Sequence, residues 1–315
     1  MAFETNIENP IRARHPVLEL IRSRQKHISD EHTLALAVEG GGMRGTLTAA
    51  MLAEMESSGI SPDIFDLMVG TSAGVTNCAG YISGNINHAV RIYPDYLNQL
   101  GFVRWRRAFF GGPIISMSIL LERIMETEVP MDWRKIVDSK KLYSVVADPR
   151  TLASTVLGPP ENKADAVQQM YATTHIAALA GRPRLYNGIA FYDGSLVAPL
   201  PVQEAVGLGA SHVLALSSRE LGKWRNSQNT YERVVAKLYN RWFPGLDEML
   251  REGMTTRMQE QEELIDNNLS PERPPYVLTI DSKKASLSPI ERDKQKIEKA
   301  IKIGRAAVRQ AFSEV

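Results

Sequence analysis

The chain is 315 residues long and contains a single cysteine, Cys78. An intramolecular disulfide is thereby excluded, and so is a zinc site built from several thiolates. A reducing compartment is the matching expectation. An excess of one charge is missing as well: 37 Lys and Arg stand against 36 Asp and Glu, a net charge of +1. So balanced a chain has no broad electrostatic footprint for nucleic acid. No run approaches the ~18 apolar residues of a membrane-spanning helix. The opening stretch MAFETNIENPIRARHP has no apolar h-region, so no secretory signal is expected. Internal repeats and low-complexity linkers are absent too. What is there is an ordinary globular composition, 43% hydrophobic and 23% charged, sufficient for a large core. The expected location is cytoplasmic.

Residues 1–33 are polar and basic apart from Val17, Leu18, Leu20 and Ile21, and read as a surface arm docked on the core. The core, residues 34–218, opens with Leu34-Ala35-Leu36-Ala37-Val38, a continuous apolar run typical of a buried strand. Leu47, Ala50, Met51 and Met55 then recur at helical spacing. Residues 64–69 read as a second strand and residues from Ala73 onward as a second helix. Residues 142–147 read as a third strand, 164–180 as helix, and 212–216 as another buried strand. Asn187-Gly188 between two apolar dipeptides signals a hairpin turn. Strands alternating with helices predict a three-layer α/β/α fold around a mostly parallel sheet. Residues 219–315 read as a helical extension packed on that core, with one strand at 276–280. In it Ser288-Pro289-Ile290-Glu291 has the pattern of a capping box with proline at the first helical position. A single domain is the expectation.

Two glycine motifs carry chemistry. Gly70-Thr71-Ser72-Ala73-Gly74 follows an apolar strand and has the pattern of a nucleophile elbow. In such an elbow the serine sits on a strained strand-to-helix turn, and the next N–H lies at a helix N-terminus, where a developing oxyanion is stabilised. Glu39-Gly40-Gly41-Gly42-Met43-Arg44-Gly45 follows the first strand. It reads as a loop of exposed N–H groups for an acyl oxygen, or as a dinucleotide fingerprint, Gly40-x-Gly42-x-x-Gly45, with Asp63 or Asp66 as the ribose acid. The co-occurrence of elbow and glycine loop at neighbouring strand ends favours the oxyanion reading. For a base, Asp193 in Phe191-Tyr192-Asp193-Gly194-Ser195 ends an apolar stretch, whereas His175 and His212 read as structural.

EGGGMRG, GTSAG and YDGS, in this order and spacing, resemble the patatin-like phospholipases, over roughly residues 34–218. The resemblance implies a Ser-Asp dyad without histidine: Ser72 as nucleophile and Asp193 as base. It implies oxyanion donors from Gly41, Gly42 and Met43, beside Ala73, and it matches Arg44 to a frequent basic residue of the box, a candidate anion or headgroup contact. No metal or cofactor is implied. Glu39 stands where many members have aspartate, Ser195 where glycine is more usual, and His175-Ile176-Ala177 where members often show Ile-Pro. The implied substrate is a fatty-acyl ester of a phospholipid or lysophospholipid. A non-catalytic lipid-binding module and a nucleotide-dependent oxidoreductase are the alternatives. Residues 104–110 join Arg104, Arg106 and Arg107 to Trp105, Phe109 and Phe110 ahead of Gly111-Gly112-Pro113. They read either as a basic loop leading into a buried helix or as a hinged lid or peripheral contact with a membrane surface.

Overall fold

The first strand alternates large and small side chains, and the alternation assigns the two faces of the sheet. Leu34, Leu36 and Val38 join one core cluster, while Ala35 and Ala37 join another, as the two-residue period of a strand requires. The computed structural model describes residues 15–97, 101–110, 112–176, 179–181, 184–221, 244–269, 271–282, 285 and 287–313.

The strands are β1 (Leu34–Val38), β2 (Leu67–Thr71), β3 (Leu142–Asp148), β4 (Ala153–Leu157), β5 (Tyr192–Asp193), β6 (His212–Ser217) and β7 (Tyr276–Asp281). They form one sheet in the order β4-β3-β2-β1-β6-β7, with β5 also paired to β3. The pairs β1–β2, β1–β6, β2–β3 and β6–β7 are parallel; β4 and β5 run antiparallel to β3. The helices are α1 (Pro16–Gln25), α2 (Gly45–Ser57), α3 (Ala73–Ile82), α4 (Ile86–Ala89), α5 (Trp133–Ser139), α6 (Lys163–Thr173), α7 (Val202–Gly207), α8 (Leu246–Leu269) and α9 (Lys294–Ser313). Helices α1, α2, α3 and α9 cover the face that carries Leu34, Leu36 and Val38. Val202 and Ala205 of α7 and Leu264 of α8 cover the face of Ala35 and Ala37. The fold is therefore the expected three-layer α/β/α arrangement. Because β2 and β6 flank β1, the connections out of β1 diverge at its carboxyl end, the place where open α/β sheets build their crevices.

Several boundaries differ from the sequence reading, each for a local reason. The second strand starts at Leu67, because Pro62–Ile64 forms a 3₁₀ turn closed by Ser61, whose side chain accepts from Asp63 N–H at 3.2 Å. The helix expected over 164–180 stops at Thr173. The Thr174 hydroxyl donates back to Met170 O at 2.6 Å, and the His175 carbonyl turns outward to accept from Asp193 N–H at 2.9 Å. The last helix begins at Lys294 rather than behind Ser288. Asp293 is its working cap, accepting from Gln295 N–H at 2.8 Å, while Glu291 folds back onto Arg292 and Asp293 N–H. Strand β4 is an addition that the sequence reading did not contain. In the N-terminal segment, Val17, Leu18, Leu20 and Ile21 are buried in the main core, so α1 is part of the first layer. Asn187-Gly188 makes the expected turn, with φ of 49° and 79° between the bridged residues Tyr186 and Ile189.

Candidate active site

Ser72 sits between the last residue of β2 and the first of α3 with φ 52° and ψ −122°, a left-handed conformation for a non-glycine residue. Such a backbone costs about 1–3 kcal/mol and persists only where its surroundings hold it. Two contacts do so here. Ser72 N–H donates to Thr173 Oγ1 at 2.9 Å, and Thr173 Oγ1 in turn donates a short hydrogen bond to Val145 O. Thr71 Oγ1 donates to Ala198 O at 2.8 Å. The turn also depends on Gly74, where a Cβ would lie 2.2 Å from Val38 O, so the first turn of α3 can press against the end of β1. Ser72 is 4% exposed.

Asp193 reaches this serine from a short antiparallel strand. Thr71 pairs with Val145 of β3, and Asp193 pairs with the next residue, Val146. Ser72 Oγ donates to Asp193 Oδ2 at 2.6 Å. The other carboxylate oxygen, Oδ1, accepts from Ser195 N–H at 2.8 Å and from Ser195 Oγ at 2.5 Å. Burial pushes the Asp193 carboxyl above the usual carboxylate range, and the hydrogen bonds from Ser195 and Ser72 pull it back. The Ser195 hydroxyl stands where the family more often has glycine, and its contact with Asp193 was not anticipated. A serine two residues after a candidate base, within reach of its own Asx-type turn, is the signal that was available.

The glycine loop lies on the other side of the serine. Gly42 has φ 58°, and Gly42, Ser72 and Ala73 line one cavity. Among the described residues no carbonyl stands against the N–H groups of Gly41, Gly42 or Ala73. Met43 is different: its N–H donates to Pro289 O at 2.9 Å. That corrects its assignment as an oxyanion donor in this structure, because a carbonyl from the far C-terminal part of the chain already occupies it. The loop is tied down from below by a buried polar cluster. Tyr93 Oη donates to Asn77 Oδ1 at 2.9 Å, and Asn77 Nδ2 donates to Gly45 O at 2.9 Å and to Thr48 Oγ1 at 3.0 Å. Arg44 is half-buried, its guanidinium laid over Gly41 at the place a Cβ would need. Glu39 is fully buried and accepts from Ser217 Oγ at 2.8 Å and Ser218 N–H at 2.6 Å, fastening the ends of β1 and β6.

The cavity beside Ser72 has mostly apolar walls: Ile92, Phe102, Ile115, Met125, Met131 and Ile176 among others. Ile176, the residue that follows His175, is thus a wall of the pocket. Neither histidine is hydrogen-bonded to the Ser72 hydroxyl or to the Asp193 carboxylate among the described contacts, although the His175 carbonyl accepts from Asp193 N–H. The His175 ring stacks on Tyr192 with centroids 6.3 Å apart, and burial lowers its pKa to about 4, so it is neutral at pH 7. His212 opens β6 opposite Leu34, at the far end of the sheet, between His32 and Tyr276; burial, with the nearby His32, lowers its pKa to about 4. The acids of the dinucleotide reading lie at that far end too. Asp66 accepts from Leu34 N–H at 2.8 Å and pairs with Arg24 at 2.8 Å, at the start of β1 rather than near the glycine loop. No group of metal-ligating side chains occurs among the described residues.

A strained serine on a strand-to-helix turn, an aspartate on its hydroxyl and a glycine loop beside it agree with the comparison with known families. The family model for Patatin-like phospholipase matches residues 36–206, more than half of the chain. The chain belongs to the patatin-like phospholipase family, a family of lipid acyl hydrolases. It is 28% identical over 188 residues to the uncharacterized protein YjjU of Escherichia coli (strain K12), an overlap of 58% of this chain and 51% of that protein. The chain therefore spans about half the length of the curated relative it matches. Among solved structures it is similar to VipD from Legionella pneumophila, at 11% identity and a TM-score of 0.48, covering 90% of this chain and 67% of that one.

Proposed function

We propose that the protein is a serine acyl hydrolase that cleaves fatty-acyl esters of phospholipids or lysophospholipids through a Ser72–Asp193 dyad. The observation that carries this reading is the 2.6 Å hydrogen bond from Ser72 Oγ to a buried Asp193, at the rim of an apolar cavity. Asp193 takes the hydroxyl proton as Ser72 Oγ attacks the ester carbonyl. The oxygen becomes negative and is held by the N–H groups of Gly42 and Ala73, with Gly41 beside them. Collapse of the intermediate breaks the ester C–O bond, and the alcohol leaves with the proton that Asp193 holds. Water then attacks the acyl-serine with Asp193 again as base, releasing the fatty acid. A carboxylate of ordinary pKa is a weak base at neutral pH; the desolvation of Asp193 raises its basicity in the direction the step needs. The apolar cavity suits the acyl chain, and the reaction as written calls on no metal or cofactor.

The reading is tested by incubating the wild type and Ser72→Ala with a panel of phospholipids and lysophospholipids and following fatty-acid release by mass spectrometry. The wild type releases fatty acid from at least one class and the variant from none. Binding of lipid without release by the wild type would replace the hydrolase with a lipid-binding module.

A further inference from the structure

Residues 102–110 and 112–116 form a strap with two different ends. At its base Val103 and Ile115 make an antiparallel bridge, flanked by hydrogen bonds from Arg104 N–H to Ile114 O at 2.8 Å and from Ser116 N–H to Phe102 O at 3.0 Å. Phe102 and Ile115 at this base are buried and line the cavity beside Ser72. The strap is sewn to the next segment by Ile115 N–H, which donates to Leu179 O at 2.9 Å.

Its tip is the 3₁₀ turn Trp105–Phe110. Five large hydrophobic side chains are exposed among the described residues, and three of them are on this turn: Trp105 at 46%, Phe109 at 86% and Phe110 at 88%. Isolated exposed apolar residues are ordinary, but large apolar groups concentrated on one turn mark an interaction surface. The same turn carries cations. Arg104 and Arg106 are exposed and Arg107 is partly so, and among the described residues no carboxylate pairs with any of the three. Arg107 feels both burial and the like charge of Arg104, which lower its pKa. Two phenylalanines pointing outward beside cations left without carboxylate partners fit a surface that is apolar inside and anionic outside.

We propose that the tip of this strap docks the protein on an anionic lipid bilayer, with Phe109 and Phe110 in the acyl boundary and Arg104, Arg106 and Arg107 at the headgroups. The continuity of the strap then sets the mouth of the acyl cavity against the membrane, because its base is part of the cavity wall. The proposal rests on the hydrolase reading only for the fate of the lipid; the docking surface is independent of catalysis. A folded protein partner or a second copy of the chain would use the same aromatics and is an outcome the experiment separates.

The experiment measures flotation of Ser72→Ala protein with vesicles of phosphatidylcholine alone and of phosphatidylcholine mixed equally with phosphatidylglycerol. Using the inactive variant keeps binding separate from turnover. Binding to the anionic vesicles is expected, weaker at high salt, with little binding to phosphatidylcholine alone. Adding Arg104→Ala, Arg106→Ala and Arg107→Ala weakens it by about two orders of magnitude, and Phe109→Ser with Phe110→Ser by about tenfold or more. With Ser72 intact, both sets retain hydrolysis of a soluble short-chain nitrophenyl ester. Absence of binding to anionic vesicles, or unchanged binding by both sets, overturns the proposal. So does concentration-dependent self-association in sedimentation that is abolished by the phenylalanine substitutions while vesicle binding is not. Failure of the wild type to hydrolyse any ester would sink the hydrolase reading and leave the vesicle result standing.

Discussion

Asp193 occupies the rung of the β3 ladder directly beyond that of Thr71: Thr71 stands opposite Val145 and Asp193 opposite Val146. The opposite edge of β3 is taken by β4, so β5 continues the edge that β2 vacates when the chain turns at Ser72 into α3. The contact between Ser72 and Asp193 is therefore set by strand register rather than by loop geometry. Backbone pairing of this kind leaves the carboxylate little freedom to drift, and small misplacements of catalytic groups are costly.

The proposed Ser72–Asp193 dyad predicts non-additive kinetics. Ser72→Ala and Asp193→Asn should each lower kcat/KM for a nitrophenyl ester by at least about 10³-fold, and the double variant should be no worse, since the residues act as one unit. His212→Ala should stay near wild type, its ring being at the far end of the sheet. Asp193→Asn should also change stability in a definite direction. The unfolded carboxyl ionises near 3.8 and the folded one at higher pH. Between those values the folded protein holds the extra proton, so native stability falls as pH rises. Melting temperatures across acid pH should show the wild type losing ground to Asp193→Asn through that window, with a constant gap above it. A gap that opens in the other direction would mean that Asp193 is stabilised as the anion.

In the proposed mechanism Ser195 tunes the base. Its hydroxyl and N–H both donate to Asp193 Oδ1, favouring the ionised carboxylate. Ser195→Ala removes the hydroxyl bond, so the Asp193 pKa should rise further and the acid limb of the kcat/KM profile should move to higher pH. Activity at pH 5 should then fall more than activity at pH 8. A uniform loss at all pH values would make Ser195 a packing residue only.

Gly42 should tolerate no side chain. Its φ of 58° disfavours other residues, and a Cβ would lie 2.6 Å from Pro289 O. If its N–H holds the oxyanion as proposed, Gly42→Ala should displace that donor and lower kcat by about 10²–10³-fold with a small change in KM. An effect confined to KM would instead assign the loop to substrate binding.

Thr173 holds the elbow through Ser72 N–H and Val145 O. Thr173→Val keeps the shape and leaves a buried N–H without its acceptor, which costs about 1–3 kcal/mol. The expected result is a lower melting temperature together with about a tenfold drop in kcat, because the strained serine loses its clamp. A melting temperature and kcat both equal to wild type would show that the elbow is held by its glycines alone.

The parts of this site that could be read from the sequence are those written in short segments. The run Leu34–Val38, the glycine loop, the elbow and Tyr192-Asp193 each announce themselves over a few residues, because a buried strand, a strained turn and a strand end have compositional requirements. The parts that could not be read depend on contacts between distant segments. Nothing near residue 43 indicates that its N–H is taken by Pro289, and nothing near residue 173 indicates that its hydroxyl clamps Ser72. Ser288-Pro289-Ile290-Glu291 has the composition of a helix start, yet it forms a turn, Glu291 N–H donating to Ser288 O, whose Pro289 carbonyl serves the glycine loop instead. Tertiary pairing outweighs a capping propensity worth only about 1 kcal/mol.

The central claim, that Ser72 is a nucleophile activated by Asp193, is tested most directly by a fluorophosphonate probe with the labelled peptide identified by mass spectrometry. The account predicts one label, on Ser72, with labelling much slower in Asp193→Asn and absent in Ser72→Ala. A label on any other residue, or labelling of Ser72 at an unchanged rate in Asp193→Asn, would contradict it.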